Sequence, residues 1–352
     1  MKVDWKSFLQ DAGAEMEGDA VMHFGNPQRE SMAAFGGTVF ANLGLIGVIA
    51  VHGDDAESFL QSQLSNDVRQ VDEAASQLNA FCTPKGRILG LLRIFRSGDT
   101  WYLRLPLDSL DAVLQRLRMF VLRADVTLED ASENFLRMGI AGDRATDLLT
   151  DAGIRVPEAV NGVAHSNGTT IIRVPGIHPR FELYATSLDA AKSMWNAINV
   201  HAAPVGEPVW RLLEIQAGIP NIFAATAEMF VPQMVNLQLI DGVSFRKGCY
   251  PGQEIVARMQ YLGTLKRRMY LGHIERDTPV RPGDELYSPA DSAQAAGRIV
   301  DAQPHPDGGQ LALAVLQIGA TAAGELFLDG PGGAVFSLQP LPYAFESAEG
   351  AD

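Results

Sequence analysis

The chain has 352 residues, 47% of them hydrophobic and 20% charged, enough apolar material for two or three packed domains and too much for a disordered chain. Its formal charge of -14 argues against a protein that coats nucleic acid without specificity, which needs a broad cationic surface. Two cysteines, Cys82 and Cys249, cannot build a disulfide framework or a four-thiolate cluster site, and the seven histidines lack metal-ligand spacing, so no metal site is expected from this chain alone.

The N-terminal twenty residues carry no basic flank followed by an apolar core, and the longest apolar stretch, Val39 to Val51, is too short to span a bilayer and is interrupted by Asn42, Gly44 and Gly47. A cytoplasmic protein without membrane attachment is the expectation. Residues Leu45 to Val51 read as a strand, and the stretch from Asp54 as a helix with Ala56, Phe59, Leu60, Gln63 and Leu64 on one face. Gly90 to Pro106 reads as a hairpin turning at Ser97-Gly98-Asp99. A helix from about Asp108 places Leu110, Val113, Leu114, Leu117 and Val121 at helical spacing. The alternation of strand, helix and hairpin predicts an α+β fold.

A second such series follows: a helix from Arg144, strands Thr169 to Val174 and Arg180 to Ala185, and a helix from Asp189 through Trp195 to Ile198. After the Pro/Gly-punctuated stretch Val200 to Pro208, Val209, Leu212, Leu213 and Gln216 or Ala217 mark a helix that stops at Gly218. The long segment from there to Phe245 has the length of a functional loop. Beyond Leu265, short alternating runs (Tyr270 to Ile274, Glu285 to Tyr287, Ala296 to Ala302, Gln310 to Gln317, Glu325 to Leu328, Val335 to Leu341) with turns such as Asp329-Gly330-Pro331-Gly332 predict a small β-barrel or sandwich. The expected division is 1–135, 136–265 and 266–346.

The segment Arg246-Lys247-Gly248-Cys249-Tyr250-Pro251-Gly252-Gln253-Glu254 sets one of the two thiols between two cations and a helix expected to begin near Pro251. Cations and a helix N-terminus both stabilise a thiolate, so Cys249 is the candidate reactive thiol, with Lys247 beside it. The alternative is a Gly/Pro turn carrying a small buried sulfur. Arg246 to Arg268 contains six cations (Arg246, Lys247, Arg258, Lys266, Arg267, Arg268) against Glu254, a local +5 that leaves -19 for the rest. That is an anion-binding patch, or else a solvated helix face followed by a basic strand. No Gly-x-Ser-x-Gly elbow, dinucleotide glycine loop or phosphate loop is present, which removes those enzyme classes.

The stretch Lys247 to Glu254, together with Gly53 to Gln61, Asn66-Asp67, Cys82-Thr-Pro-Lys85-Gly86, Ala217-Gly218-Ile-Pro220, Phe230 to Gln233, Asn236-Leu237 and Leu341-Pro-Tyr343, resembles the YgfZ-type branch of the glycine-cleavage T-protein superfamily. The resemblance implies a T-protein-like ring of ferredoxin-like α+β modules with a C-terminal β-barrel, and a bound tetrahydrofolate or derivative. It further implies an accessory role in iron-sulfur cluster assembly or repair, with an indirect effect on tRNA modification, and partners among assembly factors or cluster-containing client enzymes without direct nucleic-acid contact. Carried over in the same way, the folate contacts are Trp210, Gln216, Asn236, Arg246, Lys247, Tyr250 and Arg258. Trp210 also fits core packing, and Gln216 an ordinary helix face. Two departures stand out. The acidic pair of the aminomethyltransferases is replaced by Gly90-Leu91, which cannot assist proton transfer, so aminomethyltransferase activity is not expected. The pterin-pairing glutamate is replaced by Gln216, which loses charge assistance. The alternative function is a folate-dependent one-carbon transferase or demethylase with Asp67 or Glu254 as the substitute acid.

Overall fold

In the computed structural model the chain passes repeatedly between two units, Met1–Leu60, Val68–Gln77 and Leu92–Leu213 forming the first and Gln61–Asp67, Leu78–Leu91 and Glu214–Asp352 the second. The structure describes residues 1–289, 291–322, 324–330 and 332–345, with only the backbone of Asp291 and Ser292. Pro331 of the last expected turn and the expected barrel end at 346 lie outside the described residues.

The first unit contains a six-stranded sheet in the order Val163–Ser166, Thr169–Val174, Arg180–Ala185, Leu136–Ala141, Val39–Asn42, Ala203–Val205. Its pairings are antiparallel except the last, where Ala203–Val205 runs parallel to Val39–Asn42. A second sheet sets the C-terminal part of Ile88–Ser97 beside Thr100–Pro106, then Ile46–His52 and Thr127–Asp130. The expected hairpin forms, with Ser97 opposite Thr100 and Gly98 at φ 60° supplying the left-handed turn residue. The apolar run Val39 to Val51 is two strands, Val39–Asn42 and Ile46–His52. Gly44, in the break between them, leaves no room for a side chain, since a Cβ there would lie 2.2 Å from the Asp19 carbonyl oxygen.

Helices cover these sheets. Pro27–Gly36 starts on Asn26, whose side chain accepts from Arg29 N, with Pro27 in the first turn; Leu188–Asn199 starts on Ser187, which accepts from Ala190 N. The helix Leu107–Arg118 buries Leu110, Val113, Leu114 and Leu117 as expected, but ends before Val121. Trp195 centres one core, its ring packed against Trp5, Phe8, Phe24 and Phe40.

The second unit ends in a closed barrel, neighbours in the order Arg267–Ile274, Gln310–Gln317, Asp291–Pro304, Glu285–Ser288, Leu326–Leu328, Val335–Gln339. The α+β class and terminal barrel read from the sequence are therefore the observed architecture. The long loop after Gly218 holds three 3₁₀ turns, Ala224–Thr226, Pro232–Val235 and Leu237–Leu239. It is pinned by backbone bonds, Ile88 N donating to Phe230 O at 2.9 Å and Glu228 N to Ile88 O at 2.8 Å. No helix among the described residues is long and apolar enough to cross a membrane.

Candidate functional site

The two cysteines occupy opposite environments within the second unit. Cys82 ends the strand Gln77–Cys82 and is buried, and burial pushes its thiol up to about 12. Cys249 is exposed. Its neighbours hold it out. Lys247, only 6% exposed, donates from Nζ to Gln61 O at 2.6 Å and Leu64 O at 2.5 Å, and its ammonium lies 5.2 Å from the centre of the Tyr250 ring. A buried ammonium needs acceptors, and carbonyls at the end of the helix Ala56–Gln63 carry the negative end of its dipole. Tyr250 is buried; desolvation raises its phenol above the ordinary range, and the nearby Cys82 sulfur adds to the rise. The thiol of Cys249 thus sits between two anchored residues.

The segment leading in is clamped as well. Asn66 Nδ2 donates to Asp241 O at 2.6 Å, Ser65 Oγ to Gly242 O at 2.7 Å, and Ser244 N to Ser65 O at 3.0 Å. On the far side, Gly252 at φ 84° lies against the loop after Cys82: a Cβ there would sit 2.5 Å from Thr83 O and 2.7 Å from Gly86 Cα. Only glycine allows this approach. The two cysteine-bearing segments, far apart in sequence, are therefore in contact. Because Gly252 takes the N-cap position, the helix is Gln253–Tyr261, and Pro251 lies outside its first turn rather than opening it. Gln233 Nε2 donates to Val256 O at 2.6 Å and holds that helix.

Of the other expected site residues, Arg246 and Arg258 are exposed, and Gln216, half-buried, ends the helix Glu207–Gln216. Asn236 is fully buried in the left-handed region at φ 59°; its Nδ2 donates to Met269 O at 2.9 Å and meets the Tyr343 hydroxyl at 3.4 Å, while its Oδ1 has no hydrogen-bond partner among the described residues. Trp210 belongs to the first unit, where it is buried; the Arg180 guanidinium stands 4.4 Å from its ring centre, and a Cβ on Gly139 would come within 2.5 Å of the indole. Its Nε1 has no hydrogen-bond partner among the described residues. Gly90 and Leu91 are buried strand residues, so that position holds no carboxylate. Sequence reading did not supply the partners of Lys247, which are backbone carbonyls without a residue signature. Nor did it assign a role to Tyr343, whose hydroxyl donates to Gly218 O at 2.8 Å.

No family model matches the chain. Among curated proteins, the tRNA-modifying protein YgfZ of Colwellia psychrerythraea is 31% identical over 291 residues, 82% of this chain and 88% of the relative. The protein of the same name from Klebsiella pneumoniae is 31% identical over 301 residues, 85% and 90% of the two chains. Among solved structures, the glycine cleavage system aminomethyltransferase T from Bartonella henselae superposes with a TM-score of 0.73 over 97% of both chains at 17% identity, a likeness of fold. The site segments Lys247 to Glu254 and Cys82 to Gly86 are thus set in a T-protein fold, and at this identity and coverage the chain belongs to the YgfZ family.

Proposed function

We propose that the protein is a tetrahydrofolate-binding accessory factor of iron-sulfur cluster assembly or repair in the cytoplasm, acting on tRNA modification through cluster-containing enzymes, with Cys249 as its reactive thiol. The observation that carries this reading is the exposed Cys249 held between buried, anchored Lys247 and Tyr250 in a YgfZ-family chain. Such a thiol is accessible and fixed, as a group meant to meet a second reactant should be. Folate follows from the sequence resemblance to the T-protein superfamily, whose fold the chain adopts. A folate glutamate tail suits exposed Arg246 and Arg258, whose guanidinium groups pair with carboxylates. Lys247, with two carbonyls at hydrogen-bond distance, supports the thiol by position. Buried Gly90 and Leu91 weigh against a one-carbon transferase, because no acid stands there to manage the proton.

The test has two parts. Iodoacetamide should modify one thiol in the native protein, Cys249, and reach Cys82 only after unfolding, as read by peptide mass. Cys249→Ala should keep the unfolding midpoint and the affinity for tetrahydrofolate while failing to complement a cell defective in cluster maintenance. Full complementation by Cys249→Ala would remove the thiol from the mechanism. Formation of methylene-tetrahydrofolate from an aminomethyl donor, whose carbon is already at the formaldehyde level, would replace the accessory role with catalysis.

A further inference from the structure

Arg137, in the strand Leu136–Ala141, is 8% exposed and lines a cleft of about 190 Å³ built wholly from residues of the first unit. Its Nε donates to Leu43 O at 3.1 Å and its Nη1 to Ser132 O. Both acceptors are neutral carbonyls. A guanidinium offers five N–H donors, so most of its donor capacity is unspent. No carboxylate among the described residues makes an ion pair with it. Burial pulls its pKa down, and the charges of Tyr184, Glu207, Asp130 and Asp19 only partly offset that. A buried cation without a counter-ion is costly, and here it borders a space that can admit one.

The cleft's other walls specify the ligand's body. Trp5, Phe135 and Leu136 are buried apolar walls; Asn42 also lines the space, with an Nδ2 that has no hydrogen-bond partner among the described residues. Asp19 and Glu133 at the rim of the cleft pair with the Met1 ammonium at 2.6 and 3.7 Å, so with Lys2, Asp130 and Arg137 the lining is close to neutral and accommodates one negative charge more readily than two. We propose that this cleft is a binding site for a small monocarboxylate with an apolar body, its carboxylate on the Arg137 guanidinium.

Titration of the whole protein with isovalerate, followed by calorimetry and by the unfolding temperature, tests this. Isovalerate should bind saturably and raise the unfolding temperature, whereas isovaleramide and inorganic phosphate at equal concentration should not. Arg137→Met should weaken isovalerate by about tenfold or more, the scale of a lost charge-assisted pair. If that variant does not fold, two variants of exposed residues at the cleft decide: Lys2→Glu should weaken and Glu133→Gln should tighten binding, each by about threefold. Equal response to the amide, equal binding of phosphate, no binding at all, or indifference to these substitutions would overturn the proposal.

Discussion

Identical side chains acquire different chemistry here through what surrounds them. Cys82 lies buried at the end of a strand, where a thiolate would have no water, while Cys249 projects from a stretch fixed on either side. The same principle governs Glu207. It is buried, accepts from Leu45 N at 2.7 Å, and has a second oxygen with no hydrogen-bond partner among the described residues; desolvation raises its pKa to about 8 against the opposing pull of the Leu45 and Gly44 amides and of Arg137 and Arg211. Below pH 4.5 the carboxyl is protonated folded and unfolded alike. As pH climbs from 4.5 to about 8 the unfolded chain ionises first, so the stability held in the protonated folded carboxyl is lost across that window and stays lost above it. Each unit of separation corresponds to about 1.4 kcal/mol. Glu207→Gln keeps an acceptor and has no proton to lose. Urea denaturation at pH 4.5, 6 and 8 should therefore show the wild type losing a few kcal/mol relative to the variant as pH rises. Parallel profiles would mean that Glu207 is ionised in the folded protein.

Among the elements, the segment following the barrel shows how a distant piece of chain fixes a loop. Tyr343 is largely buried, its phenol pushed up to about 12 by desolvation, and its hydroxyl donates to Gly218 O while lying 3.4 Å from Asn236 Nδ2. Gly218 at φ 67° ends the helix Glu207–Gln216, and a Cβ there would strike the tyrosine ring at 2.6 Å. Tyr343→Phe leaves the Gly218 carbonyl without its partner and should cost about 1 to 2 kcal/mol, seen as a lowered denaturation midpoint at unchanged slope. Such ties also explain what the sequence disclosed. Helices with a wide apolar stripe, such as Leu107–Arg118, and barrel strands between Gly/Pro turns declare themselves by period. The helix Val3–Asp11 does not, because it buries only Trp5 and Leu9. Leu136–Ala141 does not either, since a strand buried on both faces shows no alternation and this one carries Arg137. At the site, the spacing of Lys247, Cys249 and Tyr250 was legible. That Gly252 would displace Pro251 from the helix start was not, because it follows from the approach of Thr83 and Gly86, more than 160 residues earlier in the sequence.

At the scale of the molecule, charge decides which partners can approach. The -14 total contains a +5 stretch from Arg246 to Arg268, where Arg246, Arg258, Lys266 and Arg267 are exposed, Lys247 is spent on carbonyls, and Arg268 stands 4.2 Å from the centre of the Phe345 ring. Four free cations can neutralise a folate tail or a local acidic patch on a protein. They make a small footprint for tRNA, whose phosphates would also meet the surrounding negative field, screened only beyond about 8 Å at physiological ionic strength. The slope of log affinity against log salt counts the phosphates neutralised, at about 0.9 each on a duplex, so these four permit a slope no steeper than about -4. Gel shifts with bare tRNA from 20 to 200 mM salt should give weak complexes at the low end, that shallow slope, and no complex at the high end. Retention at 200 mM, or a steeper slope, would require cations outside Arg246 to Arg268 and would make the influence on tRNA direct, without an intervening cluster enzyme.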